Sequence, residues 1–107
     1  MELSKNAHKW YNHIIYLLSF TDIENPIKSK EIENRHKISG ELVREVVRYA
    51  RVEGKPIASN SNGYYMAKTR IELEDTIEHL EGRAKSMLKT LKSLKAIFPD
   101  ENQETLF

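Results

Sequence analysis

The chain has 107 residues with 31% charged and 39% hydrophobic side chains, no cysteine and a formal net charge of +1. A chain of this size holds one domain with at most an appendage and buries roughly 60–65% of its unfolded surface. Disulfides and thiolate metal sites are excluded, and no run approaches the roughly 20 apolar residues of a membrane span. The N-terminus lacks the apolar core of a secretion signal, so a cytoplasmic location in a bacterial host is the expectation.

The charge is segregated along the chain. Residues 28–70 carry ten basic and five acidic groups, residues 71–82 five acidic and no basic, and residues 83–99 five basic and no acidic. A basic centre in a nearly neutral chain is the footprint to look for in a nucleic-acid binder.

In chain order, residues 7–20 are expected to form a first helix, with Trp10, Ile14, Leu17 and Leu18 on one face and Tyr11 and Ile15 widening it. Trp10 in such a stripe is expected in the core rather than as a platform for a base. His8 and His13 are five apart and do not share a face as i,i+4 ligands would, and His36 and His79 stand alone, so neither metal nor other cofactor is expected. Pro26 disfavours helix at Asn25, after which Ser29 is expected to cap a short helix from Lys30 to about His36 with Ile32 inward. A brief turn at Lys37-Ile38 leads to Ser39, a good N-cap for a longer helix. In it Leu42, Val43, Val46, Val47 and Ala50 recur at helical spacing, opposite Glu41, Arg44, Glu45, Arg48 and Arg51. Gly54-Lys55-Pro56 ends that helix. Asn62-Gly63 between Ile57-Ala58-Ser59 and Tyr64-Tyr65-Met66 then signals a hairpin, since both residues accept positive φ.

Thr69-Arg70-Ile71-Glu72 is a capping box, and the helix it opens meets no breaker before Pro99. Leu73, Ile77, Leu80, Ala84, Met87, Leu91, Leu94 and Phe98 are spaced alternately four and three apart, an a/d heptad seam. Such a helix is about 43 Å long, more than a domain of some 70 residues covers, so the seam is assigned to a homodimer. Its acidic first half and basic second half suit its own dipole and also match acid with base in an antiparallel pair. The fold expected is mainly α with a small β-hairpin: a winged helix-turn-helix domain over residues 1–68, a long coiled-coil-like dimerisation helix over 69–98, and a flexible tail over 99–107.

The order of a Trp-containing helix, a Ser39-capped helix, the phrase GKPIASNSNGYYMA and a long helix opening TRIELEDTIEHLEGRAKSMLKTLKSLK resembles small winged-helix DNA-binding proteins of bacteriophages and prophages. The resemblance covers residues 10 to 97 and implies DNA binding in a phage setting, among replication or regulatory genes. The terminal Gln103-Glu104-Thr105-Leu106-Phe107 resembles the Q-x-x-L-F peptide by which bacterial replication proteins bind the sliding clamp. In that resemblance Gln103 is a polar anchor, and Leu106 and Phe107 fill an apolar pocket.

Two function classes follow. In the first, the chain binds double-stranded DNA: Arg44, Arg48 and Arg51, with Lys37 and Ser39 at the helix start, meet the major groove and phosphates, while Asn60, Ser61 and Asn62 meet the minor groove or backbone. Its setting is replication or its control, or transcriptional regulation by the same fold. In the second, the dimer is an adaptor that engages host replication proteins through its tail. An enzyme is not expected, because no phosphate loop, catalytic triad order or metal-ligand spacing is present.

Overall fold

The computed structural model describes residues 2–98. It is mainly helical, with four helices and one antiparallel hairpin: α1 (Lys5–Leu18), α2 (Ser29–His36), α3 (Gly40–Val52), β1 (Ile57–Asn60), β2 (Gly63–Met66) and α4 (Arg70–Ile97). Two compact units divide inside α4, the first ending at Thr76 and the second beginning at Ile77. Pro99 and the tail with Gln103, Leu106 and Phe107 lie outside the described residues. Among the described residues no helix is long and apolar enough to cross a membrane.

In the first unit α1 and α2 both pack on α3, and their shared core is Ala7, Ile14, Leu18, Ile27, Ile32, Val43, Val46, Val47, Ala50 and Ile57. Trp10 is half-buried against this core, as expected of a residue in its stripe. Helix α1 starts two residues earlier than its apolar pattern, because Ser4 is its N-cap and accepts from the Ala7 N–H at 3.2 Å. It ends at Leu18, where the Ser19 and Thr21 hydroxyls donate back to the Tyr16 and Leu18 carbonyls, side-chain bonds that compete with another helical turn. Helix α2 does not use Ser29 as its cap. Ser29 is already helical and its hydroxyl donates to Glu33, leaving Lys28 in the cap position with no side-chain bond.

Between α2 and α3 the chain reverses through Lys37 at φ 54°, ψ 50°, a left-handed conformation usually given to glycine or asparagine. Ser39 caps α3 as its position implies, accepting from the Leu42 N–H at 3.1 Å. At the other end Gly54 takes φ 98°. Its N–H donates to the Arg51 carbonyl while that of Lys55 donates to Ala50, the paired bonds of a Schellman stop.

The hairpin forms where expected, but its turn is offset by one residue. Asn60 pairs with Gly63, so the loop is Ser61-Asn62, and the Asn60 side-chain carbonyl accepts from the Asn62 N–H at 2.8 Å. Gly63, at φ 130°, serves a contact rather than the turn itself. Ile27 and Tyr64 exchange backbone bonds of 2.9 and 2.8 Å, laying the connector before α2 along β2, and a Cβ on Gly63 would sit 2.4 Å from the Ile27 carbonyl oxygen. Thr21 ties the end of α1 to the same strand by accepting from the Met66 N–H at 3.0 Å.

The start of α4 belongs to the first unit. Thr69 accepts from the Glu72 N–H, and the Glu72 carboxylate accepts from the Lys68 N–H at 2.9 Å, a capping box shifted by one residue on its return arm. Leu73 packs with Ala58, Tyr65 and Ala67, and the Tyr65 hydroxyl donates to the Glu72 carbonyl. Thr76 is buried and bonds β1 twice: its oxygen accepts from the Ser59 N–H at 3.0 Å and its hydroxyl donates to the Ser59 carbonyl at 3.3 Å.

Candidate nucleic-acid interface

Helix α3 buries one face and offers the other. Val43, Val46, Val47 and Ala50 are closed off in the core, whereas Glu41, Arg44 and Arg48 are exposed. Arg44 and Arg48 are one helical turn apart, so their guanidinium groups emerge on the same side. Neither is in an ion pair among the described residues, in contrast to Arg35, which pairs with Glu31, and Arg70, which pairs with Glu74.

These arginines line an open cleft of about 480 Å³ between the N-terminal ends of α1 and α3, walled also by Ser4, Asn6, Ser39 and Glu45. Glu45 stands between Arg44 and Arg48 in sequence, yet its carboxylate is engaged on α1. It accepts from the Ser4 N–H at 2.7 Å and from the Ser4 hydroxyl at 2.9 Å. A carboxylate at a helix N-terminus meets unsatisfied N–H groups and the positive end of the dipole. Ser4 and Asn6 are contributions to the cleft that the apolar pattern of α1 does not reveal; the available signal is a serine three residues before Ala7. Ser39 lines the cleft as well, with its oxygen committed to the α3 cap.

Arg51 does not join Arg44 and Arg48. Its Nε donates to the Ile57 carbonyl at 2.8 Å and its Nη2 lies 3.4 Å from the Ser59 hydroxyl, so it fastens the last turn of α3 to β1. Lys37 is exposed at the turn before α3, and Asn60, Ser61 and Asn62 are exposed at the hairpin tip. Gly40 is closely approached by side chains rather than by backbone: an added Cβ would meet the Glu33 carboxylate at 2.9 Å and the Arg44 guanidinium at 3.3 Å.

His36 is not isolated. Its ring lies 5.2 Å from that of Trp10 and 6.1 Å from that of His13, and its Nε2 is buried with no hydrogen-bond partner among the described residues. Among the described residues no three His, Asp or Glu side chains come together to hold a metal ion.

Of the seam residues, Leu73 is taken by the hairpin, as described above. Ile77 is half-buried, and Leu80, Ala84, Met87, Leu91, Leu94 and Phe98 are exposed in the single chain. No family model, curated protein or solved structure matches this chain.

Proposed function

We propose that the first unit is a winged helix-turn-helix that binds double-stranded DNA, with α3 in the major groove and the Ser61-Asn62 hairpin tip as the wing. The setting is of phage or prophage type, in DNA replication or its control. One observation carries this reading: Arg44 and Arg48 project from the face of α3 opposite its buried valines with no ion-pair partner among the described residues, while Glu45 between them is drawn off to Ser4. Three further features support it. A short helix and a tight turn at Lys37 precede α3, the hairpin follows it, and the Ile27 bridge gives the hairpin a third extended neighbour.

In this arrangement Arg44 and Arg48 meet phosphates or base edges, Lys37 adds a cation at the start of α3, and Asn60, Ser61 and Asn62 reach the backbone or minor groove. Arg51 contributes by positioning the hairpin. The test is fluorescence anisotropy against duplexes from the protein's own genomic neighbourhood over a range of salt. Arg48→Ala is expected to weaken binding across sequences and flatten the salt slope by about one unit. The Arg44→Ala, Arg48→Ala double variant alters only exposed side chains, so it keeps its fold; if it binds the panel as tightly as the parent, α3 is not the reading helix.

A transcriptional regulator of the same fold differs in where its sites lie, at promoters rather than at a replication origin. Gln103, Leu106 and Phe107 are carried as the contact to a bacterial sliding clamp. Equal clamp binding by the full chain and by a chain lacking residues 103–107 would remove that role.

A further inference from the structure

The second unit presents a face that the described residues leave open. From Glu78 to Phe98 every residue of the chain is exposed, and Leu80, Met87, Leu91 and Leu94 lie along one stripe with Ala84 among them. Leu88 and Ile97, more than half exposed, widen the stripe on its two sides. Together these large side chains and Phe98 expose on the order of 700 Å² of apolar surface, above the few hundred usual on a monomer. It is also close to the roughly 800 Å² per partner of a standard interface.

We propose that the occupant of this stripe is α4 of a second copy, running antiparallel. The inference is independent of the nucleic-acid reading. Its first support is charge. Glu78 and Glu81 precede the centre of the stripe, while Arg83, Lys85, Lys89, Lys92 and Lys95 follow with no acid between them up to Phe98. A parallel pair sets lysines beside lysines along that whole second half. An antiparallel pair brings Glu78 and Glu81 among Lys89, Lys92 and Lys95 of the second copy, and the two-fold axis repeats the match.

Its second support is the register. Antiparallel registers that bring a positions against d positions recur every half heptad, and two of them set both Glu78 and Glu81 opposite the basic run from Arg83 to Lys95 of the second copy. One is centred on Gly82 and sets Leu73 opposite Leu91, but Leu73 is already packed against Ala58, Tyr65 and Ala67, and Leu94 and Phe98 are then left over. The other is centred between Lys85 and Ser86. It sets Ala84 opposite Met87, Leu80 opposite Leu91 and Ile77 opposite Leu94, with the small alanine facing the long methionine in both symmetry-related layers. The second register sets Phe98 opposite that same Leu73 and so leaves only Phe98 over, while Ile77, Leu80, Ala84, Met87, Leu91 and Leu94 all meet partners within the second unit; it is the one the structure favours.

The test uses the full chain, which contains no cysteine of its own. Sedimentation equilibrium at micromolar concentration is expected to give twice the chain mass, and Leu91→Glu to weaken association at least tenfold while the Trp10 fluorescence of the first unit is unchanged. Under mild oxidation, a mixture of Leu80→Cys and Leu91→Cys chains is expected to yield the mixed disulfide in excess over either same-residue disulfide. A chain that stays monomeric at 100 µM overturns the proposal and leaves the stripe for a different protein. Same-residue crosslinks at 80 or 91 that dominate over the mixed one overturn the antiparallel order.

Discussion

Replacing Gly63 by alanine tests whether the connector before α2 and the hairpin form one structure. A Cβ at Gly63 would lie 2.4 Å from the Ile27 oxygen, 2.6 Å from the Ile27 carbonyl carbon and 2.9 Å from the Lys28 nitrogen. All three are backbone atoms, so relief requires the connector to move off β2, at the expense of the reciprocal Ile27 and Tyr64 hydrogen bonds. Two bonds at about 1 kcal/mol each, with roughly 1–2 kcal/mol for a side chain at positive φ, give about 3–4 kcal/mol. Gly54→Ala supplies the control, since its φ of 98° is also unfavourable but nothing lies within 4 Å of the added Cβ. That variant is expected to lose only about 1–2 kcal/mol, the backbone part alone. The assay is thermal and urea unfolding followed by the fluorescence of Trp10, the single tryptophan, which reports on the first unit. At roughly 4–8 °C per kcal/mol for a domain of this size, Gly63→Ala is expected to melt on the order of 20 °C below the parent. Equal losses in the two variants would refute the close approach of Ile27 as the reason for glycine at 63.

Thr76→Val keeps shape but removes both bonds to Ser59, leaving its N–H and carbonyl short of a partner; a loss of about 1–3 kcal/mol and faster hydrogen exchange at the Ser59 amide are expected. Glu45→Gln takes a negative charge from the cleft that Arg44 and Arg48 line, and it is expected to tighten DNA binding roughly twofold, the size of a single solvent-screened charge interaction; unchanged or weaker binding would count against α3 facing DNA. Asp22 accepts from the Asn25 N–H, the Asn25 side chain and the Glu24 N–H, bonds that lower its pKa from the ordinary 3.8. A lowered folded pKa means its contribution is complete above the unfolded value and is lost as pH falls through the folded one. Urea titrations from pH 5 down to about pH 2 should therefore show the parent losing stability relative to Asp22→Asn, which keeps an acceptor but no titrating charge.

What was legible in the sequence was what neighbours along the chain decide. Helix α3 was readable because its cap, its apolar spacing and its glycine stop all lie within sixteen residues of one another, and each does locally what its type does. The extent of α4 was readable for the same reason. Contacts that spacing does not show have the opposite cause. Gly63 is an obvious turn residue next to Asn62, but its glycine is required by Ile27, 36 positions earlier in the chain. Arg51 has the spacing of Arg44 and Arg48, yet it sits in the last turn of α3, where the chain doubles back and offers the Ile57 carbonyl. Leu73 fits the heptad pattern perfectly well and is still taken by the hairpin, because an a/d spacing names a face without naming what covers it.

The same long-range contacts reshape the charge of the candidate interface without changing its sum. By spacing alone the polar side of α3 carries three arginines and two glutamates. The structure withdraws one of each, Arg51 to β1 and Glu45 to the N-terminus of α1, and leaves Arg44, Arg48 and Glu41 exposed. The excess positive charge is unaltered, but it moves toward the cleft and toward Lys37. Three cations, each neutralising one phosphate, correspond to a salt slope near −2.7 and a loss of roughly 40-fold in affinity between 50 and 200 mM salt. Electrostatic attraction of that size is too small to hold the chain on DNA by itself at physiological salt. On the DNA-binding function proposed above, tight binding therefore requires the hairpin tip with Asn60, Ser61 and Asn62 and the proposed second copy joined through α4.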